Sequence, residues 1–135
     1  MRKFLAVLAG TLVLTALPAQ AAPRDPEAEL ARAVQGRVAG EPVDCIDLNR
    51  VRSSRIIDDT AIVYDAGSVV YVNRPRSGAE SLDRWDTMVT RLWGSSRLCS
   101  IDTVRLVDTS SRMMTGVVFL GEFVPYRRVQ TGAAN

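Results

Sequence analysis

Residues 45–73, CIDLNRVRSSRIIDDTAIVYDAGSVVYVN, decide the fold. Three short runs rich in β-branched and aromatic residues, Arg55–Ile57, Thr60–Tyr64 and Ser68–Val72, are parted by Asp58-Asp59 and Asp65-Ala66-Gly67, the residue types that tight reversals use. The second reversal is the firmer hairpin, because Gly67 stands where a left-handed residue is wanted. Along the paired strands Ile62, Tyr64, Val69 and Tyr71 form one set, and Val63, Val70 and Val72 form the other. Successive strand residues face opposite sides, so both faces of this hairpin are apolar and both need cover. The expectation is a mainly β (α+β) domain: a small, strongly bent antiparallel sheet or barrel-like meander with one or two short helices.

Upstream, Asp25-Pro26-Glu27 reads as a helix start, with an Asp cap and Pro at the first helical position. Leu30, Val34 and Val38 follow at helical spacing and predict one apolar stripe, ending near Gly40. Docking of that stripe on the body of the domain is a better reading than a partner-binding helix. Glu41-Pro42 then breaks the chain, and Val43, Cys45 and Ile46 begin a strand. Downstream, Arg74–Ala79 is a loop. Over Ser81–Leu92 the spacing of Leu82, Trp85, Met88, Val89 and Leu92 favours helix, although Thr87–Thr90 is credible strand. Gly94-Ser95-Ser96 ends that segment and Leu98-Cys99 returns to the core. Thr103–Val107 alternates, Asp108–Arg112 is a polar turn, Gly116–Val124 is the last apolar run, and Tyr126–Asn135 is expected to fray. The inventory is five to seven strands.

The chain opens with Arg2-Lys3, an apolar run from Phe4 to Leu17, Pro18 and then Ala19-Gln20-Ala21, the pattern of a secretory leader cleaved after an A-x-A site. The run is too short to read as a membrane anchor. Residues 1–21 are therefore read as a leader and 22–135 as one exported domain with an ordered core over about 43–126, periplasmic or secreted. Without Arg2 and Lys3 the 17 basic residues become 15, equal to the 15 acids. A neutral product lacks the positive field of a nucleic-acid binder, and removal of the leader leaves nothing to insert in a membrane. Two cysteines in an oxidising compartment, Cys45 and Cys99, read as a disulfide. Closing so long a loop stabilises by about 4 kcal/mol in the chain-entropy model.

In order, Arg37–Ile46, Ile57–Ile62, Tyr71–Arg74, Arg97–Asp102 and Leu120–Pro125 resemble a family of small exported proteobacterial proteins known as a domain of unknown function. The likeness covers nearly the whole exported chain. Many members of that family carry two further cysteines, near Ser77-Gly78 and just before the Leu120-Gly121 turn, and both are missing here. Their joint absence implies that they pair with each other, leaving Cys45 and Cys99 as the other pair. The resemblance implies no activity, cofactor or catalytic residue.

Composition removes much chemistry. The chain has no histidine, so Ser-His-Asp and Cys-His nucleophile systems and histidine-ligated zinc or haem are excluded. Its one lysine, Lys3, lies in the leader, which excludes Schiff-base and Ser-Lys chemistry and the P-loop lysine. Carboxylates are left, and Asp58 with Asp102 is the pair that could act as acid and base. Regular Ca²⁺-loop spacing is absent, so no metal and no cofactor is expected. Arg50, Arg52 and Arg55 are the candidate anion-binding residues, ranked behind a plain solvated sheet face. The favoured function is a non-catalytic envelope interaction or accessory module with a protein partner. Its alternative is a carboxylate-dependent hydrolase of an envelope glycan. Oligomeric state is not legible in the sequence.

Overall fold

The computed structural model describes residues 21–129. The leader read over residues 1–21 therefore lies outside the described residues except for Ala21, as does the chain after Val129. One helix, α1 (Pro26–Ala33), precedes ten strands: β1 (Arg37–Ala39), β2 (Cys45–Asp47), β3 (Ser53–Ile57), β4 (Ala61–Asp65), β5 (Val69–Asn73), β6 (Asp86–Thr90), β7 (Arg97–Cys99), β8 (Thr103–Asp108), β9 (Met114–Phe119) and β10 (Phe123–Arg128). Every strand pairing is antiparallel. A five-stranded sheet runs in the order β1-β10-β5-β4-β3, a three-stranded sheet in the order β6-β8-β9, and β2 pairs with β7. The mainly β expectation holds, but with ten strands among the described residues where five to seven were expected, because Arg37–Ala39 and Asp86–Thr90 are strands rather than helix and the last apolar run divides in two.

The hairpin read from the sequence sits in the larger sheet with Tyr64 opposite Tyr71 and Val63 opposite Val72. Gly67 has φ +81°, and Asp65 turns the chain by accepting the Gly67 N–H at 2.7 Å. Both faces are covered. On one side Ile56, Ile62, Tyr64 and Phe123 meet Ile46, Leu98, Val104, Leu106 and Val118 from the other two sheets. Tyr64 and Phe123 pack edge to face there, with ring centroids 5.8 Å apart. On the other side Ile57, Ala61, Val63, Val70 and Val72 lie under Leu30 of α1. The helix is thus a lid on the outer face of the five-stranded sheet, and the second and third sheets cover the inner face.

Asp25 caps α1 by accepting the N–H groups of Glu27 and Ala28 at 3.0 and 3.3 Å. The expected stripe stops early. The helix ends at Ala33, Gly36 takes φ +72°, and Arg37–Ala39 becomes a strand against Tyr126–Arg128, leaving Val38 58% exposed. Gly36 in the left-handed region ends the helical repeat before Val38 can join it. The same pairing anchors Tyr126–Arg128, which were expected to fray.

The helix expected over Ser81–Leu92 is a correction as well. A single 3₁₀ turn, Ala79–Ser81, is followed by Leu82 and then the strand Asp86–Thr90. The Asp83 carboxylate accepts the Trp85 N–H at 2.8 Å, and the Asp83 carbonyl accepts the Asp86 N–H at 3.0 Å, which closes a local turn in competition with helix. Trp85 is exposed, so the apparent helical stripe was not a buried one. In the strand Met88 packs on the core while Val89 faces out. The last apolar run divides into two strands, because Asn73, fully buried, pairs like a ladder residue with the connecting Gly121. Its amide donates to the Gly121 carbonyl at 2.6 Å and accepts the Gly121 N–H at 3.1 Å. A Cβ at Gly121 would collide with the Arg74 carbonyl.

Candidate interaction surface

Strand alternation builds an exposed apolar surface on the β6-β8-β9 sheet. Met88, Val104, Leu106 and Val118 point to the core, so Val89, Arg105, Val117 and Phe119 point away from it. No layer covers this outer face among the described residues. Val89 and Phe119 are exposed, and beyond the strand ends stand Trp93, 80% exposed, and Ile101, 77% exposed. A shallow cleft of about 470 Å³ opens between them, lined by Val89, Trp93 and Ile101 with the polar Thr90, Arg91, Asp102, Thr103 and Arg105. Arg91 places its guanidinium carbon 5.7 Å from the Trp93 ring centroid, a cation–π distance.

At the opposite end of the sheet the exposed large apolar residues are Trp85, Met113 and Met114. Asp108 shapes this end by accepting the N–H of Ser111 at 2.6 Å, the hydroxyl of Ser110 at 2.7 Å and the N–H of Ser110 at 3.1 Å. Those donors, the Ser111 N–H foremost, hold its carboxyl down at about 2. Arg112 turns the chain with φ 57°, and Thr109 donates to the Trp85 carbonyl. The edge β9 is covered: Ser77 bridges to Phe119, and Gly78 approaches so closely that a Cβ there would collide with the Val117 carbonyl.

The carboxylates of the sequence reading are occupied structurally. Asp58 accepts the backbone N–H of Arg84 at 2.8 Å and its Nε at 2.7 Å, while the same guanidinium reaches Glu29 of α1 at 2.9 Å. Asp102 accepts the Cys99 N–H at 2.7 Å. Each holds a turn or a connection between elements. No group of three or more Cys, Asp or Glu is placed to hold a metal ion among the described residues.

The candidate anion-binding arginines lie on three separate depressions. Arg50 ends a 3₁₀ turn, Leu48–Arg50, and shares one depression with Asp47, Tyr71 and Arg97. There the Asp47 carboxyl accepts the Ser96 hydroxyl at 2.8 Å and the Asn49 N–H at 3.0 Å; the Ser96 bond, then the Asn49 bond, lowers its pKa. Arg52 lies over Gly67 and lines a second cleft. Arg55 lines a third with Ala33, Val63 and Val70. The structure does not assemble them into one site.

Cys45 and Cys99 are joined by a disulfide. They are register partners in β2–β7, and the flanking pairs carry the hydrogen bonds Ser100 N–H to Asp44 and, past Ile46–Leu98, Leu48 N–H to Ser96. The cysteines therefore occupy the non-hydrogen-bonded position, where opposed backbones come closest. The exposed face of the three-stranded sheet was missed in the sequence because Trp85 and Val89 were assigned to a helical stripe. The alternation Thr103-Val104-Arg105-Leu106 was the available signal that one side of this sheet is solvated. Compared with family models, with curated proteins and with solved structures, the chain matches none of them.

Proposed function

We propose that the protein is a non-catalytic interaction module of the bacterial envelope, periplasmic or secreted, that binds a protein partner through the outer face of the β6-β8-β9 sheet. The observation that carries this reading is the set of exposed apolar residues on that side of the sheet, Val89, Phe119, Trp93 and Ile101 toward one end and Trp85 and Met114 toward the other. Contiguous exposed apolar residues with a polar fringe mark interaction sites, and Trp and Arg are among the residue types enriched where interface energy concentrates. Export is supported by the leader pattern and by the cross-strand disulfide, which belongs to an oxidising compartment.

Kinship with the small exported family of unknown function is part of the same proposal. Its support is that the resembling stretches fall on structural joints: the Asp58-Asp59 turn, the Cys45–Cys99 staple and the Asn73–Gly121 pair. Ser77 also faces Phe119, near the two positions where many members carry their extra cysteines.

The test is capture from envelope extract by the tagged protein, in parallel with a Trp93→Ser, Ile101→Ser double variant whose melting temperature and far-ultraviolet spectrum match the parent. A partner held by the parent and lost from the variant is the expected result. Equal capture by both would sink the reading.

A further inference from the structure

Two sheet edges face a common cleft. In the five-stranded sheet β3 has β4 as its one strand partner, and in the three-stranded sheet β6 has β8. Ser53 and Ser54 of β3 and Met88 and Thr90 of β6 line opposite parts of an opening of about 340 Å³. A free strand edge presents a row of backbone donors and acceptors that can template an incoming extended chain. Proteins blunt such edges with prolines or bulges, or cover them, as Ser77 and Gly78 do for β9. Neither β3 nor β6 contains a proline, and the register shift of the smaller sheet lies between β8 and β9 instead.

The cleft also holds chemistry that asks for a ligand. Tyr64 lies in its lining only 4% exposed, yet its hydroxyl has no hydrogen-bond partner among the described residues, and its oxygen is not sealed from solvent. Burial pushes the phenol's pKa up, so it stays protonated and keeps a donor to offer. Leu98 and Met88 supply apolar lining beside it. Arg52 is the one charged residue of the lining, no carboxylate accompanies it, and it makes no ion pair among the described residues. An uncompensated arginine calls for an anionic group.

We propose that the slot between β3 and β6 takes an extended acidic peptide segment of another protein, added as a strand to a free edge, with an apolar side chain toward Tyr64 and Leu98 and a carboxylate on Arg52. The slot shares only Thr90 with the cleft of the outer face invoked above, and the variants that test the two lie on different residues, so each can fail without the other. Random 12-residue peptides displayed on phage and selected on the purified chain are the probe. The expected result is an enriched family with a fixed Asp or Glu. A synthetic member, followed by fluorescence polarisation, should bind about tenfold or more weakly to the Arg52→Gln variant, as loss of a charged hydrogen bond predicts, and unchanged to Arg50→Gln. Methylating alternate backbone amides of the peptide should abolish binding without altering the protein at all. No enrichment, equal affinity of the methylated peptide, or equal affinity of Arg52→Gln would overturn the proposal. So would binding that appears only when residues 130–135 are removed, which would assign the slot to the chain's own end, or a concentration-dependent dimer that the peptide dissociates, which would assign it to a second copy.

Discussion

At the scale of single residues, Ile62 and Asp58 set the contrast between core and joint. Ile62 is fully buried between the sheets, and its replacement by Ala should cost about 2–5 kcal/mol in lost transfer energy and cavity. Asp58 stands at a turn, as its sequence context implied, but it also receives two hydrogen bonds from Arg84. Asp58→Asn keeps an acceptor and loses the charge, so about 1–2 kcal/mol is expected, less than for Ile62→Ala. Urea unfolding of the two variants checks the order. Asp108 gives a pH prediction. Its folded pKa, about 2, lies below the ordinary aspartate value near 4, so the stabilisation it supplies is fully present above about pH 4 and disappears as pH falls through about 2. Carboxyl NMR should place the Asp108 midpoint near 2, and Asp108→Asn should flatten stability in that window alone.

Among the elements, α1 shows how little of a short helix's stability is its own. Eight residues form a marginal helix in water, and three tertiary ties hold this one. Leu30 belongs to the buried cluster with Ile57, Ala61, Val63, Val70 and Val72 of the sheet face, Glu29 meets Arg84, and Glu27 makes an exposed pair with Arg74. The exposed pair contributes little, so Leu30 is the principal tie. Leu30→Ala should cost about 2–5 kcal/mol and raise amide exchange in α1 well before the strands of the larger sheet, as read by hydrogen exchange. Uniform acceleration through α1 and β4 together would show that the helix and sheet open as one unit. The three-stranded sheet makes the opposite case: its inner face is core, and its outer face carries the proposed function.

For the whole molecule, the disulfide links strands whose sequence separation is 54 residues. The loop it closes contains β3, β4, β5 and β6, so reduction releases that whole span in the unfolded chain. Replacing both cysteines by Ala should cost about 4 kcal/mol, measured by urea unfolding of the double variant against the parent. A cost near zero would mean that residual structure in the unfolded chain already removes the entropy that the cross-link would take away. The layering explains why so modest a chain carries two apolar clusters: the larger sheet serves as wall to both, with α1 on one side and the smaller sheets on the other.

What the sequence by itself determined was local or compositional. Asp58-Asp59 and Asp65-Ala66-Gly67 act through backbone geometry within a few residues, so the meander was legible. The same holds for the Asp25 cap and for the two-sided apolar character of the hairpin. Two cysteines allow one intramolecular pair, and a chain without histidine has no histidine chemistry in any fold. Tertiary structure alone decided the state of Ser81–Leu92, because a spacing of three and four also fits a short turn followed by a strand, and the β8 partner settles which form buries Met88. It likewise decided that Arg37–Ala39 leaves the helix to pair with Tyr126–Arg128, a contact between the two ends of the described chain. The candidate sites were beyond the sequence for the same reason. Trp85, Val89, Phe119 and Trp93 become one surface, and Arg52 and Tyr64 meet in one cleft, only when strands distant in the chain are laid side by side.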